Sequence, residues 1–460
     1  MRKYYFYSFI LLIAFIEIYF LALQSPVCGM DEVGYNDPAV NLYLNGTFTS
    51  TTWGMNNDKF WAMNVPLYQF VLFVWLKIFG FSGIKIHFFH TFLSLLNVSL
   101  LLTLLRKTMA ELSPMWMYLF AFVFFTSGPY VYLTLSARPD NLAITFVLVI
   151  LLILNNPANV FCSFKLFLFS AFLFATSIPG AIVLFSYLAL FHWDLRKLFF
   201  IGAGFLFSGV VVFLIWRENE VVADFLVSAN YNRSESLKSS FKEVVFQFFG
   251  EISFLSFLFL SFLFNLRVKY GWLNILRMFI LTLVVYFLVK LNPYYVSLFI
   301  LFIILESAQN SQFVQVLKKK SIWIHLFIIC FATLNAYQIY GRLVVLERNF
   351  KNRNYSAFDY KFSKLINKTD VVFCEHPAYY SIKSRCNRVY TIQTLDLMNE
   401  RELALVNKLV INPRRSKLRL SKKFDFAQWE MKSQSYCDLE SGGFPNEDYN
   451  LVVYTRKIVL

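Results

Sequence analysis

Asp31 and Glu32 stand about eight residues beyond the first long apolar run, and Arg138-Pro139-Asp140 stands just beyond what reads as the third membrane span. If both spans leave the bilayer on one side, three carboxylates meet at its surface. Adjacent carboxylates there suit a reaction in which one takes a proton from an incoming hydroxyl and the other holds a sugar or its neighbour. Plainer readings compete with this: Asp31 and Asp140 as helix N-caps, and Arg138 as an interface anchor.

The elements that must position these groups follow from composition. With 58% hydrophobic residues, 20% aromatic, 15% charged and a mean hydropathy of +0.53, the chain of 460 residues cannot present its side chains to water as a soluble enzyme does. It reads as a polytopic α-helical membrane protein. Runs 4–23, 198–216 and 322–340 approach the roughly 20 apolar residues of a crossing helix. The first run is long for a cleaved leader and has no small-residue cleavage pattern before Cys28, so a retained anchor is expected. The net charge of +15 lies largely in short clusters between spans, which makes it a topology signal rather than a nucleic-acid footprint.

Charge then sets the topology. Arg2 and Lys3 keep the N-terminus inside, and the loop 24–83 lies outside. Within it, Pro66 to Phe81 is short, opens with proline and carries Lys77, so we expect a helix lying flat in the interface. On that choice 84–105 runs inward to Arg106-Lys107, 115–135 runs outward and 141–154 runs inward. The long stretch 160–191 turns at Ser177-Ile178-Pro179-Gly180, and every later basic cluster falls inside. The expectation is about eleven spans over residues 1–342, with the tail 343–460 outside. In that tail the apolar runs 371–373, 408–411 and 451–454 are of strand length and 396–405 looks helical, predicting a small extracytoplasmic α/β domain. Of the six cysteines, Cys162 and Cys330 fall in spans; a disulfide among Cys374, Cys386 and Cys437 is expected, with pairing left open.

Taken in order, Asp31-Glu32, the motif Pro66-Leu67-Tyr68 opening an aromatic helix, the basic end Leu-Leu-Arg106-Lys107 and Ala137-Arg138-Pro139-Asp140-Asn141-Leu142-Ala143 resemble the GT-C glycosyltransferases. The likeness is greatest to the protein O-mannosyltransferase and lipid A aminoarabinose transferase branch, with motifs in register over roughly residues 1–160 and architecture alone beyond. That resemblance implies an inverting glycosyltransferase moving a sugar from a polyprenyl phosphate donor to a hydroxyl of a glycan, lipid or protein. It further implies Asp31 as general base, Glu32 orienting acceptor or sugar, and Asp140 lining the cavity, with Tyr35 and Tyr68 among the substrate-binding residues. Phosphate cations would come from Lys59, Arg138, Arg233 or Lys290, Lys59 first. The chain departs from many relatives in having Asn64-Val65 where they place a lysine before the prolines.

Other chemistries find little support. The chain has no Cys-x-x-Cys and no glycine-rich phosphate loop, and His87 and His90 share a helical face without an evident third ligand, so neither a metal nor another cofactor is expected. Glu251, ionisable within an apolar run, is a further cavity candidate. The competing reading is a lipid-linked glycan flippase or export component without transferase activity. A noncatalytic scaffold is a third. A bacterial inner membrane is the expected location.

Overall fold

The computed structural model describes residues 30–50, 66–108, 114–155, 161–218, 271–289, 293–309, 364–386, 388–392, 398–413, 416–434 and 451–457, with scattered positions elsewhere. The expected spans 4–23 and 322–340 and the apolar run 244–264 around Glu251 lie largely outside this set, as do Lys59, Arg233, Glu251, Lys290 and Cys437.

Helix α1 (Met30–Asn45) begins one residue before the acidic pair, so Asp31 and Glu32 occupy its first turn. Carboxylates there favour the positive end of the helix dipole. Gly46 ends the helix at φ 72°, a left-handed conformation open to glycine without a Cβ penalty. Helix α2 (Pro66–Phe79) follows, then α3 (Gly83–Thr108), whose 26 residues give about 39 Å at 1.5 Å per residue, enough to cross a bilayer core.

The expected single span 115–135 is instead two helices, α4 (Pro114–Thr126) and α5 (Gly128–Leu135). Pro129 explains the break. Its ring fits the first turn of a new helix but cannot continue an old one, since it lacks the N–H and crowds the preceding turn. Helix α6 (Asp140–Leu154) opens at the Arg138-Pro139-Asp140 motif. The expected turn in 160–191 divides α7 (Cys162–Thr176) from α8 (Ile178–Phe191): Ser177 is extended, and its hydroxyl accepts from Gly180 N at 3.1 Å. Helices α9 (Leu195–Glu218), α10 (Gly271–Val289) and α11 (Pro293–Gln309) complete the described bundle. Gly204 of α9 lies so close to α7 that a Cβ would stand 2.3 Å from the Phe167 carbonyl oxygen. Among the described residues, α3 and α9 are the two helices long and apolar enough to cross a membrane.

The tail forms a five-stranded sheet in the order β2-β1-β3-β5-β4. Strands β1 (Val371–Cys374), β2 (Arg388–Thr391) and β3 (Lys408–Ile411) run parallel, and β4 (Trp429–Gln434) and β5 (Val452–Arg456) are antiparallel additions. Side chains alternate across it. Phe373, Tyr390, Leu409 and Ile411 pack with Leu395, Leu420, Phe424 and Trp429 in a core belonging to the tail. Val372, Cys374, Val389, Val410 and Val453 face the other way, into a core shared with Val33, Ala39 and Val40 of α1, Tyr68, Leu72 and Leu76 of α2, and Ile86 and Phe89 of α3. The tail therefore lies against the end of the bundle that carries Asp31. The helix expected over 396–405 is shorter, Glu400–Leu405, because Asn399 caps it: its side chain accepts from Glu402 N while Glu402 accepts from Asn399 N. Cys374 and Cys386 are buried and free, which corrects the expectation of a disulfide involving them.

Candidate functional site

Helix α1 presents its groups at helical spacing, with Tyr35 one turn after Asp31 and Asn36 one turn after Glu32. The motif before α6 arrives from a sharp reversal at Ala137, buried and left-handed at φ 44°. Such a conformation costs a residue with a Cβ about 1–2 kcal/mol, so other contacts must hold it. They do: the Ala137 carbonyl lies 3.1 Å from the Tyr68 hydroxyl and accepts from Asn36 Nδ2 at 3.3 Å. Tyr68 also approaches Asn36 Oδ1 at 2.6 Å and His90 Nε2 at 2.9 Å. The Pro66-Leu67-Tyr68 motif, the acidic helix and the Ala137–Asp140 motif thus meet directly.

The reversal aims Arg138 at the acidic helix. Its guanidinium bonds Asp31 through Nη1 and Asp140 through Nε at 3.0 Å, and its centre lies 5.0 Å from the middle of the Tyr35 ring. Two carboxylates against one guanidinium leave the trio with one net negative charge. Asp31 keeps 39% of its side chain exposed, against 4% for Arg138 and 9% for Asp140, so the carboxylate reachable from outside is Asp31. Burial pushes the Tyr35 phenol up to about 12, with the Arg138 guanidinium opposing that shift, so the ring stays neutral at physiological pH.

Glu32 points the other way, into the protein, with 1% exposure. It accepts from the Tyr380 hydroxyl at 2.9 Å and lies 3.1 Å from His87 Nε2. Asn36 donates to the same Tyr380 oxygen at 2.9 Å. Asp37, one residue on, accepts from the hydroxyls of Tyr379 and, at 2.7 Å, Ser50. Near it Lys383 is buried; loss of hydration pulls its ammonium below the ordinary lysine value, and the Asp37 carboxylate partly opposes the change.

Crystal structures of ArnT from Cupriavidus metallidurans match this chain almost end to end. In the apo state the match covers 99% of this chain and 98% of that one at TM-score 0.59; bound to undecaprenyl phosphate it covers 100% and 98% at TM-score 0.62, with 11% identity in each case. The fold is that of ArnT. The likeness in backbone fold therefore extends over the whole chain, well beyond the first 160 residues that carry the motifs. No family model and no curated protein sequence matches the chain.

On this ArnT-like fold Asp31, Tyr35, Arg138 and Asp140 come together, whereas Glu32, expected to orient acceptor or sugar, turns into the protein against Tyr380 and His87. Tyr68 joins them, but it is fully buried and its hydroxyl is committed to the loop and the Ala137 reversal, so its place is in the wall rather than facing a cavity. Arg138, expected as a phosphate cation, is shared between two carboxylates. Sequence reasoning missed Asn36, Asp37 and the tyrosine pair 379–380. Asn36 could have been found from its spacing to Glu32. The tyrosines open a five-residue helix of the tail, Tyr379–Lys383, more than 340 residues away, with no local signal. Among the described residues, no group of three or more His, Cys, Asp or Glu side chains is placed to hold a metal ion.

Proposed function

We propose that the protein is an inverting glycosyltransferase of the bacterial inner membrane that moves a sugar from a polyprenyl phosphate carrier to a hydroxyl acceptor at the outer face. The observation that carries this reading is Asp31, the accessible carboxylate of its group, fixed by a buried Arg138–Asp140 pair on a fold whose ArnT representatives include one bound to undecaprenyl phosphate.

Asp31 takes the proton of the acceptor hydroxyl as its oxygen attacks the anomeric carbon from the face opposite the carrier. The carbon–oxygen bond to the phosphate breaks in the same displacement, and the polyprenyl phosphate leaves with the electron pair. Arg138 limits the directions in which Asp31 points, which suits a base that must meet the hydroxyl within hydrogen-bond reach. Asp140 backs Arg138 from within the protein, Glu32 supports the first turn of α1 from the buried side, Tyr35 presents a neutral ring beside Asp31, and Lys59 and Lys290 remain the proposed cations for the leaving phosphate. The bilayer holds the carrier lipid, and the tail stands outside with the site.

The test is transfer of radiolabelled sugar from a panel of polyprenyl phosphate donors into lipid, polysaccharide and protein fractions, comparing membranes containing the native chain with membranes containing Asp31→Asn. Label arriving only with the native chain supports the enzyme and names its acceptor class. Equal labelling in both removes Asp31 as base, and no labelling from any donor favours the flippase reading.

A further inference from the structure

The carboxylate beside the proposed base is held from the far end of the chain. Glu32 is 1% exposed, and a buried carboxylate needs hydrogen-bond donors to offset its lost hydration. The Tyr380 hydroxyl supplies one at 2.9 Å, and through its lone pair it also receives Asn36 Nδ2 at 2.9 Å, so one phenol fixes two consecutive turns of α1. Asn36 in turn reaches Tyr68 and the Ala137 carbonyl, the residue before Arg138. An unbroken line of contacts therefore runs from the tail through α1 to the guanidinium that holds Asp31.

The ring of Tyr380 has little freedom to leave this position. A Cβ on Gly83 would stand 2.8 Å from its Cδ2, and Phe81 meets it edge-on at 6.2 Å between centroids. Two further bonds tie the tail to the outer loop: Tyr379 to Asp37, and Thr391 Oγ1 donating to the Thr52 carbonyl at 3.0 Å. A module that merely covered the membrane domain would need an apolar contact. Hydroxyls aimed at two of the three carboxylates of the acidic helix, Glu32 and Asp37, go beyond that.

We infer that Tyr380 is a positioning residue for the transferase site, setting Glu32 and the first turns of α1 so that Asp31 meets its substrate, and that the C-terminal domain is for this reason an integral part of the catalytic unit. The inference rests on the transferase reading for its kinetic consequence but not for its structural one.

Tyr380→Phe keeps the ring and removes the hydroxyl. In the full-length protein the expected result is a fall in kcat of about 10-fold or more with the donor KM within about 2-fold, as for loss of an interaction that matters in the transition state. Because the phenol acts through Glu32, combining Tyr380→Phe with Glu32→Gln should cost little more than Glu32→Gln alone. Undiminished kcat in Tyr380→Phe, or losses that multiply in the double variant, would overturn the inference. Hydrogen exchange over residues 30–45 provides a readout that needs no activity: exchange at least about 5-fold faster in Tyr380→Phe than in the native chain is expected, and identical exchange would overturn it. A native chain that transfers no sugar, together with faster exchange in Tyr380→Phe than in the native chain, would refute the transferase reading while leaving the coupling intact.

Discussion

Helix α6 carries a polar cluster at each end, and the two are built differently. At its start, Asp140 belongs to a charged group assembled from the acidic helix, the Ala137 reversal and, through Glu32, the tail. At its finish, Leu151, Leu154 and Asn155 border a cavity of about 350 Å³ together with Tyr187 and His192. There the Tyr187 hydroxyl donates to Glu306 at 2.7 Å and lies 3.0 Å from His192 Nε2, and its ring stacks on Phe302 at 3.9 Å. Both ends combine carboxylate, tyrosine and histidine. The second satisfies its carboxylate with two groups from one helix end, whereas the first holds more acids than its guanidinium can neutralise and leaves one of them open to solvent. Surplus charge kept accessible marks a place for chemistry, and a self-contained triangle marks a joint between helices.

The largest effect expected from this contrast is at Arg138. Arg138→Ala would strand Asp140 and loosen Asp31, at a cost of about 3–5 kcal/mol for breaking a buried pair, and transfer should fall by about 100-fold or more as the base loses its orientation. Thermal unfolding and turnover, measured on the same preparation, would check both. Gly83→Ala comes next. Its Cβ would collide with the Tyr380 ring, which has no room to yield, so a loss of about 1–3 kcal/mol is expected, with reduced turnover, again by melting and transfer assays. Glu306→Gln should cost only about 0.5–1.5 kcal/mol, the net worth of an ordinary hydrogen bond, and leave turnover within about 2-fold. Abolished turnover there would break the comparison between the two ends.

Two smaller effects concern backbone and thiols. Ala137→Gly relieves a left-handed residue and should change stability by no more than about 1 kcal/mol in either direction, since glycine also gains freedom in the unfolded chain; a melting curve decides. Burial pushes the Cys386 thiol up to about 12 and Cys374 up as well, so both should resist alkylation at pH 8 until the tail unfolds, as mass spectrometry of alkylated peptides would read. Because the folded thiol titrates above its ordinary value of 9, the stability linked to it is complete below pH 9 and declines as pH rises from there toward 12.

Much of this arrangement was legible in the sequence. Proline and glycine punctuate the helices where the structure does, at Ser177–Gly180 and Asn45-Gly46, because both act through local sterics. Strands β1, β3 and β5 were read from their apolar runs; β2 and β4 were not, since Arg388–Thr391 has only two apolar-type residues between polar ends and Trp429–Gln434 mixes polar with apolar residues as an edge strand does. The meeting of Asp31, Arg138 and Asp140 was inferable from topology alone. The break at Ser127 was overlooked because hydropathy averages across Pro129. What no local signal encodes is the reach of Tyr380 to Glu32, a contact 348 residues apart that exists only once the sheet has docked on the loop.

The most direct test of the account is the single-turnover rate of purified native chain, Asp31→Asn and Asp31→Glu with a donor that labels the native reaction. Removal of a general base predicts a fall of about 10² to 10⁴-fold for Asp31→Asn with donor binding retained, and partial recovery for Asp31→Glu. A native rate in Asp31→Asn would contradict the claim that this exposed carboxylate, held by Arg138, is the base.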